Sequence, residues 1–444
     1  MFATRGYSDI PVRDLALGYM SALVQITHIS VTHLRRPALA GPYGKALSQG
    51  APIHVIRCDD GAARSAPTGN DAPLLPDPVA LRVRRVHRAM ADLRRGTPVL
   101  LEASSPDAGH GLVLLPAETA GARGLAEFAA LAGGPAVLLL STARAAAVLR
   151  RPIGQGDAAV ALLTSRGLLD PAMLHGLADP TARQILPADP VVAPAPANAG
   201  AALALTKLAR LLPAVLAAPV RPAAGELAGN LALLAVPATD VLAYSVTMAT
   251  HLRLVAEAEV PMEDAPDARV MAFRGPDSGI EHLAILVGRP EDSTFPLVRI
   301  HSECFTGDLL GSLRCDCGTQ LRGAIRRMSH DGSGVLLYLA QEGRGIGLVN
   351  KLRAYRLQDR GLDTLDANRA LGWGGDERNF LAAAIMLEAL GLRGIRLLTN
   401  NPDKVAALAA CGLDVRREAH AFAPNGVNDR YLATKAARFS HLLD

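Results

Sequence analysis

Three cysteines within fourteen residues, Cys304, Cys315 and Cys317, are the side chains of this chain best suited to chemistry. Their C-x10-C-x-C spacing lets three thiolates converge on one zinc ion and leave its fourth tetrahedral position open for water or a substrate. Structural zinc sites take four protein ligands, and no fourth Cys lies in range. Cys411 is about ninety residues away, in an Ala-rich helical stretch, and reads as a small buried core residue. His301 has two readings: a fourth ligand, or a strand residue whose ring packs and bonds locally, which the spacing favours. Taken alone, such a cluster also fits a structural zinc site, a redox pair or core cysteines.

Three further stretches carry groups that bind anions or move protons. In QEGRGIGLVNKLRAY, Gly343, Gly345 and Gly347 free the backbone to approach a ligand and to turn from the strand GVLLYLA into a helix. Such a turn can hold phosphate on the amides of the helix N-terminus, although the spacing matches neither GxGxxG nor the P-loop pattern. In the helix that follows, Ile346, Val349, Leu352 and Ala354 are placed to bury one side, with Tyr355 near the middle. An isolated helical Tyr is usually a core residue. DERNF sets Asp376 and Arg378 two residues apart at an expected helix start, where they need not share a face and where Asp376 suits an N-cap. RLLTNNPDK reads as a strand, a turn and a helix start with Pro402 early in it, and its Lys404 is a point charge for phosphate.

The elements that must position these groups belong to a chain of 444 residues, long enough for two or three domains. Apolar residues make up 50% and charged residues 20%, as in a soluble globular protein. Of 46 basic residues only five are Lys, a coding bias that says nothing about activity. A net charge of +4 permits an anionic substrate without calling for nucleic acid, and with aromatics at 4% no basic stripe is interleaved with stacking residues. Clustered cysteines in a large chain favour metal binding in a reducing compartment over a disulfide framework. The N-terminus has no secretory pattern. Its most apolar run, Leu15 to Leu34, holds Gln25, two His and two Thr and reads poorly as a membrane span. The cytoplasm is the expected compartment.

Pro, Gly, Ser and Asp recur from Pro37 to Pro78 without sustained periodicity, so residues 1–77 are expected to be a poorly ordered extension with a short helix near Val12 to Gln25 and little else. From Val79, VALRVRRVHRAMADLRRG has helical spacing in Leu81, Val86, Met90 and Leu93, with Gly96 placed to end it. TPVLLEA, HGLVLLPAE and PAVLLLS read as buried strands, GLAEFAALAG as a helix, and Val160 to Leu163 and Pro213 to Val220 as later strands. LPADPVVAPAPANAG is expected to be a loop or internal linker. Short apolar strands alternating with helices give an α/β (α+β) fold class, with two mixed α/β domains over 78–240 and 241–444.

From about Tyr244 to Asp444 the chain resembles the GTP cyclohydrolase II family, with HSEC, RCDCG, QEGRGIGLVNKLRAY, DANRALG, DERNF and LLTNNPDK in family order and spacing. The resemblance implies one zinc ion on Cys304, Cys315 and Cys317. It lays Arg299, Ile300, His301, Ser302 and Glu303 along the nucleotide, with Arg299 toward the phosphates. Gln320, Glu342, Gly343, Arg344, Thr364, Thr399 and Lys404 complete the implied GTP contacts, Glu342 being suited to accept from guanine N1–H and the exocyclic amine. Tyr355 falls beside the zinc site, Asp376 is the implied proton acceptor, and Arg378 meets the α-phosphate. Family accounts make Arg378 a nucleophile, but a guanidinium is normally protonated, and electrostatic stabilisation of the transition state is physically easier. The implied reaction is hydrolysis of GTP at guanine C8 by zinc-activated water, release of formate and loss of pyrophosphate, with Mg2+ on the phosphates. Its product is 2,5-diamino-6-ribosylamino-4(3H)-pyrimidinone 5′-phosphate, the first intermediate of riboflavin biosynthesis. A homodimer is implied, with no nucleic-acid or membrane partner.

Val79 to about Ala235 resembles 3,4-dihydroxy-2-butanone 4-phosphate synthase, in AMADLRRGTPVLL and the strands after it. In that family the first strand runs into an acidic loop that binds magnesium and a sugar phosphate. Here the loop is EASSPDAGHGLVL, whose only acids are Glu102 and Asp107, too few for an octahedral magnesium site. The expectation is a degenerate domain without chemistry. The alternative is a bifunctional enzyme that also makes the four-carbon phosphate from ribulose 5-phosphate.

Overall fold

Asp77 accepts from the Val79 amide and Pro78 takes the first turn, so helix α1 runs Pro78–Arg94. Val83, Val86, Met90 and Leu93 form its buried face. Gly96 closes it in the left-handed region (φ 74°), where a Cβ would lie 2.3 Å from the Thr119 carbonyl oxygen. The computed structural model describes residues 77–420 apart from 104–110, 152, 154–158, 164–169, 184–190 and 223. The helix expected near Val12, Cys58 and Asp107 lie outside the described residues.

The first half alternates as the apolar runs suggest: β1 (Val99–Glu102), β2 (Leu112–Pro116), α2 (Ala122–Leu131), β3 (Val137–Leu140), α3 (Thr142–Leu149), β4 (Val160–Leu163), α4 (Pro171–Ala178), β5 (Val192–Ala193), α5 (Ala199–Leu208), β6 (Ala214–Pro219), α6 (Ala224–Asn230) and β7 (Ala235–Pro237). The strands form one sheet in the order β5-β4-β3-β6-β2-β1-β7, antiparallel except for β1 beside β7. Along β2 the side chains alternate between two cores: Leu112 and Leu114 pack with α1 and α5, Val113 and Leu115 on the opposite face. The Pro/Ala-rich stretch expected as a loop or linker belongs to this domain. It contributes the edge strand β5, where a missing proline N–H costs no ladder bond, and then opens α5.

Helix α7 (Ala238–Thr250) leads into the second sheet: β8 (Arg253–Glu259), β9 (Arg269–Arg274), β10 (Glu281–Val287), β11 (Leu297–Ser302), β12 (Gly334–Leu339), β13 (Gly394–Leu398) and β14 (Asp414–Glu418). Its order is β14-β13-β11-β12-β10-β9-β8. β14, β13, β11 and β12 run parallel, and β10, β9 and β8 continue antiparallel. Between the strands lie α8 (Cys317–Asp331), α9 (Leu348–Asp359), α10 (Thr364–Ala370), α11 (Leu381–Ala389) and α12 (Pro402–Ala410). α8 packs with Leu297 and Leu336 on one face, α11 and α12 with Val298, Ile300 and Leu337 on the other. Parallel neighbours bring their carboxyl ends to one edge, where open α/β sheets bind ligands.

The two halves share a core. Ile346, Ala354, Leu357, Ala367, Leu371 and Trp373 of the second half are buried in one cluster with Val113, Leu138, Leu174 and Leu216 of the first. Helices α9 and α10 therefore help to cover the first sheet. α7 bridges the other way: Val241 and Tyr244 sit in the first half's core, and Ala249 sits in the second's. Partly buried ion pairs reinforce the junction, with Arg353 on α9 held by Glu118 at 2.8 Å and Asp179 at 2.9 Å.

The inner face of α9 differs from the expected one. Ile346 and Ala354 are buried, but Val349 is 59% and Leu352 48% exposed, while Asn350 and Lys351 point inward. Asn350 donates to the carbonyls of Arg210 and Ile346, and Lys351 to Glu342 and Cys304. Polar groups with such partners take an inner face that an apolar period alone assigns to Val and Leu. Among the described residues no helix is long and apolar enough to cross a membrane.

Candidate active site

β11 ends at Ser302 and delivers Cys304 to the carboxyl edge of the second sheet. A wide helical turn, Phe305–Leu309, follows, and the Asp308 carboxylate accepts from the Cys304 amide at 3.0 Å. A loop brings back Cys315, and Cys317 opens α8. All three sulfurs lie within 4.8 Å of one another, Cys304 and Cys315 being 3.8 Å apart. Two thiolates each about 2.3 Å from a tetrahedral zinc would stand about 3.8 Å apart, so the sulfurs fit that ion. Gly307 provides the room, since a Cβ there would lie 2.7 Å from Cys315 Sγ and 3.0 Å from Cys304 Sγ.

Crowding pulls the three thiols apart in acidity. Donation from the Cys315 and Cys317 thiols, and then from the Lys351 ammonium 3.0 Å away, holds Cys304 far below its ordinary value. Its bond with Cys304 pushes Cys315 up to about 11. Burial opposes the Lys351 charge, but Glu342 and Cys304 outweigh it and hold that lysine above its usual range. His301 bonds locally: its Nε2 lies 3.1 Å from both Asp308 oxygens, and its ring stacks on Tyr338. Cys411 is buried beside α12, its thiol pushed up to about 12 by burial, away from the cluster.

The sulfurs face a cavity of about 260 Å³ at the ends of β13, β11 and β12. Its walls include Arg299, Ile300, His301, Ser302, Glu303, Gln320, Glu342, Gly343, Arg344, Tyr355, Thr364, Arg378, Thr399 and Lys404. The residues singled out in the sequence thus converge, with one exception. Asp376 is not part of the wall and meets it through Arg378, whose Nε lies 2.8 Å from Oδ1 and whose Nη2 bonds Oδ2. Burial opposes the Asp376 charge, but the Arg378 guanidinium outweighs it and holds the carboxyl below its ordinary value. Asp376 does not cap the helix, whose N-cap position is Phe380 with no side-chain cap bond. α11 begins only at Leu381, and Asn379 Oδ1 accepts from its amide, because Asp376 is drawn into the pair with Arg378.

Several wall residues are already engaged. Arg299 donates to the Leu398 carbonyl and Gln320, and burial lowers its pKa to about 10. Glu342 accepts from the Phe305 amide at 2.7 Å, the Gly343 amide at 2.8 Å and Lys351 at 2.8 Å. A guanine contact at Glu342 would therefore be made by a carboxylate that already ties the cysteine turn to the glycine-rich loop. That loop turns tightly, with Gly343 and Arg344 both left-handed (φ 64° and 59°). The Arg314 and Lys351 cations lie 5.0 and 5.9 Å from the centre of the Tyr355 ring, and burial raises its phenol pKa. Lys404 donates to the Ile300 carbonyl at 2.9 Å.

Sequence reasoning missed Lys351, Asn368, Asn400, Asn401 and His420, which also line the cavity. One signal was available for the first. In a chain with five Lys among 46 basic residues, a lysine marks a place where a compact ammonium is preferred to a guanidinium.

A family model for GTP cyclohydrolase II matches residues 253–420. A GTP cyclohydrolase-2 from Azospirillum brasilense is 48% identical over 393 residues, which span 86% of this chain and 99% of that protein. Another from Xylella fastidiosa (strain Temecula1) is 39% identical over 362 residues, 81% of this chain and 87% of that one. One from Histophilus somni (strain 2336) is 49% identical over 195 residues, only 44% of this chain but 90% of its own. Among solved structures, a two-domain 3,4-dihydroxy-2-butanone 4-phosphate synthase from A. baumannii aligns with 75% of this chain and 99% of its own, at 19% identity and a TM-score of 0.30.

Proposed function

We infer that the cavity is the place where this chain does its chemistry, because the chain belongs to the GTP cyclohydrolase II family. It is a GTP cyclohydrolase II, hydrolysing GTP in the first step of riboflavin biosynthesis. The observation that carries the assignment of the site is the meeting of three thiols and Arg378 in the wall of one cavity.

Cys304, Cys315 and Cys317 would hold zinc, which when bound supplies a Lewis acid able to activate water at neutral pH. Lys351 sets a positive charge against the Cys304 sulfur, and Glu342 fixes Lys351. Tyr355, on the helix that carries Lys351, is proposed to donate its hydroxyl near the guanine C8 that leaves as formate. Arg378 is proposed to meet the α-phosphate as pyrophosphate departs, with Mg2+ on the phosphates. Deprotonating Arg378 for covalent attack would need a strong base, whereas its partner Asp376 is held in its charged form. The pair therefore supports electrostatic stabilisation, with Asp376 orienting the guanidinium fork. Arg299, Ile300, His301, Ser302, Glu303, Gln320, Gly343, Arg344, Thr364, Thr399 and Lys404 are proposed to hold the nucleotide.

We read 78–240 as a domain that makes no four-carbon phosphate and 241–444 as the catalytic one. The Azospirillum relative, matched over both halves, carries only the cyclohydrolase name, which supports this reading. A cytoplasmic homodimer is proposed, and Leu309, Leu310 and Leu313, each more than 60% exposed, supply apolar surface for a second copy. Incubating zinc-loaded protein with GTP and Mg2+ should give formate, pyrophosphate and the pyrimidine product in equal amounts. Absence of formate would sink the assignment.

A further inference from the structure

Glu377 lies between Asp376 and the proposed catalytic residue Arg378, yet its carboxylate is held by the other half of the chain. Lys207 Nζ, on α5, lies 2.6 Å from Glu377 Oε1, and the same oxygen accepts from the Gly374 amide at 2.7 Å. The Lys207 ammonium also stands over the Trp373 ring, 5.6 Å from its centroid. From the site's side, the Glu377 amide donates to the Arg344 carbonyl at 3.0 Å. Gly345 lets the two loops touch, since a Cβ there would lie 2.8 Å from the Glu377 carbonyl. Just past α5, Arg210 accepts from Asn350 on α9, and its stem packs against Gly347.

Residues 373–380 form no helix or strand. Their conformation rests on these contacts and on two bonds between Gln341 and Asn379, and both Lys207 and the core around Trp373 come from a half of the molecule with no proposed chemistry. Lys207 and Glu377 are 28% and 25% exposed, and an ion pair so placed adds little to stability. What it can do is fix the loop. A displacement of about 1 Å in a group that meets the transition state can cost on the order of a hundredfold in rate.

We propose that Lys207 is a positioning residue for the cyclohydrolase reaction, holding through Glu377 the loop that presents Asp376 and Arg378. The proposal rests on the function assigned above. It makes the first half a structural determinant of the second half's turnover number rather than a passenger.

Two variants attack the contact from opposite sides. Lys207→Met keeps an apolar stem against Trp373 and removes the charge; Glu377→Gln keeps an acceptor for Gly374 and removes the charge. Each should lower kcat for formate and pyrophosphate release by roughly tenfold or more, with smaller changes in KM and with zinc content and thermal midpoint near wild type. The double variant should be no slower than the worse single one, because a single contact is lost. Lys207→Arg should recover part of the rate. Arg84→Ala, which breaks a different ion pair between the halves (Arg84–Asp277, 3.2 Å), should leave kcat unchanged. If Lys207→Met fails to fold, Glu377→Gln decides. Wild-type kcat in both contact variants, a loss confined to KM, or an equal loss in Arg84→Ala would overturn the proposal while the functional assignment stands. A wild-type protein that releases no formate would overturn both.

Discussion

At the scale of single residues the site separates metal holding from phosphate chemistry. Cys304→Ser removes a sulfur from a set already at tetrahedral spacing, so zinc content and formate release should both fall to near background. Cys411→Ser, buried beside α12, should leave both close to wild type. Metal analysis of the two proteins checks this, and full zinc in the Cys304 variant would remove that residue from the ligand set. Arg378→Ala leaves the sulfurs untouched and takes a charge from the phosphate end, a loss of about 3–4 kcal/mol by comparison with other preorganised donors. It should keep zinc and release almost no pyrophosphate, while Arg378→Lys should recover part of the rate if charge rather than covalency matters. Normal pyrophosphate release from the alanine variant would end the proposed role. The ligand residues were legible because chemistry dictates their type and spacing. The Asp376–Arg378 pairing was not, because two residues two apart fold back on each other only through a loop conformation that no periodicity announces.

At the scale of elements, the turn between Cys304 and α8 is tuned by one missing side chain. Gly307→Ala would press a methyl group onto Cys315 and Cys304 and should weaken zinc binding by roughly 10–100-fold, as loss of supporting contacts does at other metal sites. A chelator titration reads the change, and unaltered affinity would show that the turn can relax. A second element is sensitive to acid. His282 on β10 accepts from the Ala340 amide through Nδ1, at the strand end that leads into the glycine-rich loop, and burial lowers its pKa to about 4. The unfolded chain binds that proton near pH 6.5 and the folded chain refuses it until about pH 4, so stability present above pH 6.5 drains away between those values. His282→Asn keeps an acceptor that does not titrate and should flatten the fall in melting temperature over that window; an unchanged slope would exclude His282 as its source. Strands were read well from sequence because apolar runs bounded by turn residues have few other uses. The face of α9 was misread because Asn350 and Lys351 are buried for their hydrogen bonds, a cause invisible to hydropathy.

At the scale of the molecule, the boundary between 240 and 241 falls inside α7, and neither half closes its core alone. A chain begun at Ala235 keeps every residue of the cavity wall but bares Ile346, Leu357, Leu371 and Trp373, at a cost of roughly 1.5–3 kcal/mol for each large side chain. It should still bind zinc, but it should aggregate readily and turn over GTP more slowly than the full chain. Equal rates and equal melting temperatures would mean that the shared core is dispensable. Sequence patterns locate two sheets because each strand declares itself locally. They do not disclose that helices after one sheet cover the other, since that pairing joins residues more than a hundred positions apart.

The shared core also bears on how the protein is made. The first sheet leaves the ribosome complete in its strands, while Ile346, Leu357 and Trp373, which seal one of its faces, are still untranslated. At roughly 5–20 residues per second the wait is on the order of ten seconds. For that interval the nascent chain displays an apolar face that belongs to its own future, so the half synthesised first is the one that most needs a chaperone.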